Sequence, residues 1–302
     1  MADISLTSGM RSNLLSLQNT NTLVNRTQER LSSGKKVNSA LDNPTNFFAA
    51  QSHNNIASDL TNRKDGMSEA IQGIKAADAG ITAITSLIEA AKGVAQSALA
   101  TASMTERASY AVTYNTLMTQ ITQLSSDSGY RGTNFLNKQD LTVEFAPTTN
   151  DATLQVKGFN ATNNGLSIQT VSITSAHGQT AVTGTSSVAD ANASLGTSVA
   201  WDNTATSVAA NAIRSSAKQL ENALSTLRTK SSELSANLSV VTVRQNFTDS
   251  MINTLQTGAD NLTLADSNQE GANMLMLQTR QSLGITSLSM ASQAAQAVLR
   301  LF

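Results

Sequence analysis

Apolar residues recur at alternating three- and four-residue steps through most of this chain. The longest run is Ile56, Leu60, Met67, Ala70, Ile74, Ala77, Ile81, Ile84, Ile88, Ala91, Ala95, Ala98 and Ala102, broken by Arg63. The spacing predicts a helix over 56–102 with one narrow apolar stripe. A helix of that length, roughly 70 Å, is unstable alone in water and needs partner helices along it. The stripe thins from Ile to Ala toward its C-terminal end, where a partner can sit closer. Gly66, Gly73 and Gly80 recur beside it at heptad spacing. Each costs about 1 kcal/mol of helix propensity relative to Ala, so the spacing reads as a groove approached by another backbone.

A second seam runs through Met10, Leu14, Leu17, Val24 and Leu31, with polar breaks at Asn21 and Gln28. It is sparse and flanked by poor helix formers, so it is expected to stay unfolded until a partner covers it. Gly34 reads as a helix end, with Lys35 and Lys36 suiting the helix dipole. Asp42-Asn43-Pro44 reads as a helix start. Thr105 and Glu106 read as a break before a shorter helix carrying Tyr110, Tyr114, Leu117, Ile121 and Leu124. The glycines of 128–134 predict a loop.

From Leu141 the period changes to two. Segments 141–145, 154–158 and 166–173 alternate, and 147–151 reads as a turn, which predicts two or three strands. Segment 175–207 is rich in Ser, Thr, Ala, Gly and Asn and reads as a surface insertion with no core role. A strong helical seam then follows: Ile213, Ala217, Leu220, Leu224, Leu227, Leu234, Leu238, Val241, Ile252 and Leu255. It is expected to pack against the 56–102 helix. Segment 258–271 reads as a polar interruption. A last helix carries Met274, Leu277, Gln281, Gly284, Leu288, Ala291, Ala295 and Val298, and ends in Leu301 and Phe302. An apolar tail of this kind implies burial in an assembly.

The fold class is therefore mainly α: long coiled-coil helices from both chain ends, a small β-hairpin sheet and a Ser/Thr-rich central insertion. Five segments are expected. Residues 1–45 form one terminal helix. Residues 46–140 and 209–258 form two halves of a helical layer. Residues 141–208 form a β-rich centre, and 259–302 form the other terminal helix. The ends must find each other, because each terminal seam lacks a local partner.

Composition narrows the function. The 302 residues include no cysteine and two prolines, which excludes disulfides and thiolate metal sites and suits long helices. A net charge of -1 gives no footprint for nucleic acid. No apolar run reaches membrane-spanning length, so membrane insertion is not expected. The N-terminus has no basic region followed by an apolar run, so no cleaved signal peptide is expected. His53 and His177 have no acidic or histidine neighbour at ligand spacing. Gly158, Gly165, Gly178 and Gly184 make no phosphate-binding loop. The acids are scattered, with no pair for general acid–base work. No catalytic residue, metal or cofactor is expected, and the chain does not read as an enzyme.

Four stretches then resemble one family. Segment 31–42, Leu-Ser-Ser-Gly-Lys-Lys-Val-Asn-Ser-Ala-Leu-Asp, is similar to the N-terminal signature of bacterial flagellin. Segment 73–81 resembles that family's long helix, 129–136 its glycine loop, and 283–302 its C-terminal end. The likeness covers roughly 1–140 and 210–302, in the right order.

The resemblance implies a filament subunit used for motility, exported by the flagellar type III apparatus and lying outside the cell. It implies an inner coiled-coil tube packed through Met10, Leu14, Leu17, Val24, Leu31, Met274, Leu277, Leu288, Val298, Leu301 and Phe302. It implies a surrounding shell packed through Ile74, Ile81, Ile84, Ile88, Leu220, Leu224, Leu227, Leu234 and Leu238. Implied partners are other flagellin copies, an export chaperone, and the hook-junction and cap proteins. The segment sensed by a mammalian toll-like receptor in enteric flagellins corresponds to Ala90, Lys92, Gly93 and Val94, with Ala90 and Gly93 standing where larger charged residues are usual. Weak recognition is therefore expected. Two departures from this picture stand as alternatives: a hook-filament junction protein, or a coiled-coil scaffold or adhesin that does not polymerise.

Overall fold

The structure, a computed structural model, describes residues 8–146, 152–173, 200–202 and 206–299. Its elements are α1 (Ser8–Ser33), α2 (Pro44–Ala100), α3 (Met104–Asp127), β1 (Leu141–Glu144), β2 (Thr153–Val156), α4 (Thr206–Thr263) and α5 (Ser267–Leu299).

Local chemistry sets the ends of these helices. Gly34 closes α1 with φ +68°, a left-handed conformation that favours glycine. The predicted 56–102 helix starts earlier, at Pro44. Proline suits the first helical position, and Asn43 caps the end by accepting the Asn46 N–H at 3.1 Å. Ala50 and Ala57 are buried there, although polar Gln51, Ser52 and Asn54 hide the stripe from a periodicity search. The expected break at Thr105 and Glu106 lies instead at 101–103. Ser103 caps α3 by accepting the Glu106 N–H at 3.4 Å, while the Glu106 carboxylate takes the Thr101 hydroxyl. Glu106 is thus a helix-start residue, in the manner of a capping box. The interruption expected over 258–271 shrinks to 264–266, where Asp266 caps α5 by accepting the Asn268 N–H at 2.9 Å.

The chain divides into two compact units, Leu60–Ser250 and Met1–Asp59 with Met251–Phe302. In the first, α2 and α4 run antiparallel. Lys64 meets Asp249 at 2.9 Å, Gln245 reaches Ser68 at 2.7 Å, Ser231 reaches Asp78 at 2.8 Å and Lys92 meets Glu221 at 2.9 Å. Their facing stripes join α3 in one apolar core that includes Ile74, Ile84, Met118, Ile121, Leu220 and Leu227.

The hairpin pairs Leu141 with Val156 and Val143 with Leu154. Val143 and Val156 are buried, so one face of the hairpin sits on the core. The turn expected at 147–151 lies outside the described residues. Segment 166–173 is not a third strand. Its ladder groups are already taken: Asn115 donates to the Val171 carbonyl at 2.8 Å and accepts its N–H at 2.9 Å, and Gln219 accepts the Gln169 N–H at 3.0 Å. Leu166, Ile168, Val171 and Ile173 are nevertheless buried.

The glycine groove also differs from expectation. Gly73 and Gly80 are met by side chains rather than by another helix backbone. A Cβ on Gly73 would lie 3.2 Å from Phe135, and one on Gly80 would collide with Ser128 and Leu136. Gly66 faces open space and, with Arg63, Glu69 and Phe135, lines a pocket of about 430 Å³. The loop that supplies Phe135 and Leu136 is held by Asn134, whose side chain donates to the Ser125 carbonyl at 2.8 Å and the Ser126 carbonyl at 3.0 Å.

One core residue had no signal in the sequence. Trp201 sits in the stretch read as surface insertion, yet it is 0% exposed. Its ring lies 4.9 Å from that of Tyr114, and its indole N–H reaches Ser216 at 3.3 Å. Burial pushes the Tyr114 hydroxyl pKa up. Most of 175–207, including Asp190 and the bulk of the hydroxyls, lies outside the described residues.

Candidate assembly surfaces

The second unit brings the two chain ends together. Helices α1 and α5 pack antiparallel, as four contacts show. Arg30 meets Glu270 at 3.2 Å, Gln281 donates to Asn21 at 3.4 Å and Asn13 donates to Ser287 at 3.4 Å. Between these, Leu17 presses on Gly284, where a Cβ would lie 2.7 Å from the leucine methyl. The polar break at Asn21 in one seam therefore answers the break at Gln281 in the other. The connectors at this end are also paired: Lys36 N–H donates to the Thr263 carbonyl at 2.7 Å and Ala265 N–H to the Gly34 carbonyl at 2.9 Å.

The seam residues fall into three groups. Met10, Val24 and Leu277 are buried. Leu17, Met274 and Leu288 are half-buried. Leu14 and Leu31 remain exposed. The Val298 side chain, Leu301 and Phe302 lie outside the described residues. Beyond the seam, Leu15, Leu23, Leu275, Met276, Leu283, Ile285 and Met290 are exposed aliphatics on the same two helices. Sequence reasoning missed these, because it looked for the one stripe that meets a partner helix. The signal was present as apolar residues one position off that stripe.

In the Leu60–Ser250 unit the shell residues face inward. Ile74, Ile81, Ile84, Ile88, Leu220, Leu224, Leu227 and Leu234 are buried, and Leu238 is partly buried against them. On the outer side Ala90 and Gly93 are exposed and Val94 is half-buried. Lys92 is tied to Glu221, whose carboxyl this hydrogen bond and charge hold below the usual range. Among the described residues no three His, Cys, Asp or Glu side chains group to hold a metal ion. No described helix is long and apolar enough to cross a membrane.

Residues 5–140 match the bacterial flagellin N-terminal helical region. The chain is similar to flagellin FljM of Caulobacter vibrioides, 28% identical over 303 residues that cover 99% of this chain and 98% of that one. It is 26% identical to a flagellin of Brucella melitensis biotype 1 over 302 residues, covering 100% and 99%. The chain is thus similar to bacterial flagellins, through its N-terminal helical region and, at lower identity, over its whole length. A shorter likeness joins it to flagellin C of Rhizobium meliloti, 34% identical over 79 residues, 26% of this chain and 25% of that one. The flagellin region match takes in α1, α2, α3 and the loop before β1, while the full-length likenesses extend through α4 and α5. Flagellins are structural proteins, and packed terminal helices with an apolar outer surface suit that class.

Proposed function

We propose that this chain is a flagellin, the structural subunit of a bacterial flagellar filament, and polymerises through its terminal helices. The observation that carries the reading, beside the likeness to flagellins, is the apolar surface left on α1 and α5 after they have packed together. Large side chains such as Leu15 and Leu283 gain about 1.5–3 kcal/mol each when a neighbouring copy covers them. In this reading residues 1–45 and 259–302 form the filament core, 46–140 and 209–258 the shell, and 141–208 project outward. The filament lies outside the cell and serves motility. Export proceeds through the flagellar type III apparatus. A chaperone covers the C-terminal segment before export, and the hook-junction and cap proteins bound the finished polymer.

The small residues Ala90 and Gly93 support weak recognition by the mammalian flagellin receptor, since they present little side chain for a contact to grip. A reporter-cell response equal to that of an enteric flagellin overturns this part. Electron microscopy of the concentrated protein tests the main reading. Helical filaments are expected; a chain that stays monomeric or forms amorphous aggregates overturns it.

A further inference from the structure

Helix α5 carries two thioethers in solvent: Met276 is 49% exposed and Met290 is 60% exposed. Leu283, 65% exposed, lies midway between them at heptad spacing. At 3.6 residues per turn the three share one face, roughly 100° round the helix from Gly284, which seats Leu17 of α1. The packing of α1 on α5 thus leaves this stripe uncovered. Among the other methionines, Met67 and Met118 are 0% exposed and Met10 is 8% exposed, while Met251 on α4 is 37% exposed.

We propose that Met276 and Met290 form an oxidation site that governs assembly, through which a hydroperoxide blocks docking of a second copy of the chain on α5. The inference rests on the filament reading, which supplies the second copy as occupant of the stripe. The chemistry needs no other group. A sulfur lone pair attacks the hydroxyl oxygen of the peroxide, the O–O bond breaks, and the proton of that hydroxyl passes to the departing oxygen, which leaves as water or an alcohol. Sulfur is oxidised by two electrons to the sulfoxide, and the peroxide is reduced. The product replaces a soft apolar group with a strong acceptor dipole. In the isolated chain that dipole is solvated by water. In a dry contact between copies it has no donor, so assembly is penalised while the monomer fold is not. Met67 and Met118, enclosed in the core, do not meet the oxidant.

The test treats dilute full-length chain with hydrogen peroxide and follows each methionine by peptide mass. Met276 and Met290 are expected to oxidise first and Met67 and Met118 last. The treated chain should melt as before, yet need at least tenfold more protein to form sedimentable filaments. The double variant Met276→Leu, Met290→Leu, which keeps exposed Met251, should assemble normally after the same treatment. Preformed filaments should protect both α5 methionines. Unchanged assembly of the oxidised parent, equal loss in the double variant, or equal oxidation within filaments each overturns the proposal. An untreated parent that never sediments overturns the filament reading instead, and the proposal falls with it.

Discussion

The two units of this chain spend their apolar residues differently. In Leu60–Ser250, isoleucines at 74, 84 and 88 and leucines at 220 and 227 are at most 1% exposed, closed off by α3, the hairpin and Trp201. In the terminal unit, leucines at 15 and 283 are 61% and 65% exposed although their helices are packed. Three elements can enclose a core; two helices can only share a seam. Cooperative folding is therefore expected of one unit, and completion by other copies of the other.

Damage to the closed core should have the largest effect. Ile84→Asp places a carboxylate where nothing can solvate it, and should abolish the cooperative urea transition. The milder Trp201→Ala should cost about 3–5 kcal/mol in the same measurement. A normal transition in either variant would show that the core is not what holds Leu60–Ser250 together.

Leu288→Asp sharpens the contrast from the other side. The residue is half-buried on α5, so the thermal melt of Leu60–Ser250 should be unchanged while filaments in polymerising salt disappear from the sedimented fraction. Normal filaments would remove the terminal helices from the assembly interface. A collapsed melt would show that the two units fold as one.

Smaller still is the effect expected from deleting 180–198, which leaves Trp201 in place. Its composition gives it no core role, so both the melt and sedimentation should stay close to those of the parent chain. Lost assembly would assign that stretch to the interface.

The smallest effect concerns the α1–α2 connector. Asp42 accepts the Ser39 and Asn38 N–H groups at 3.1 Å, and these bonds hold its carboxyl below the ordinary 3.8. A pKa lowered by folding gives stabilisation that is complete above 3.8 and lost as the pH falls through the lowered value. Amide exchange at Asn38 and Ser39 should therefore speed up only in strong acid, beyond the intrinsic pH dependence. Asp42→Asn should remove that acid step. An identical profile in the variant would show that the carboxylate does not hold the turn.

The same contrast explains what was legible in the sequence. Seams such as 74–88 and 220–234 could be read because each meets one partner helix, and a single partner imposes a single period. The hairpin was legible for a similar reason, through its buried Val143 and Val156. Segment 166–173 alternates like a strand, but whether a strand forms depends on what its backbone bonds to, and Asn115 lies far away in sequence. Trp201 was hidden because one contact with Tyr114 leaves no repeating pattern. Met276 and Leu283 were hidden because no described helix covers them, so no second seam sets their period. The α2 start at Pro44 was obscured by polar residues on its first turns, although the cap at Asn43 was visible.

The Arg30–Glu270 pair sets an error rate. The Glu270 side chain is 10% exposed and the pair sits at one end of an otherwise repetitive seam. Were α5 to slide one heptad along α1, the leucines would still find apolar neighbours, but Glu270 would lose its cation. Stranding a mostly buried carboxylate costs on the order of 3 kcal/mol, which limits slipped chains to about one in a hundred. Gly284 raises the barrier again, because a slide that brings Leu277 beneath Leu17 leaves no room for both. In the proposed filament, built from many identical copies, this pair gives each subunit its own alignment mark.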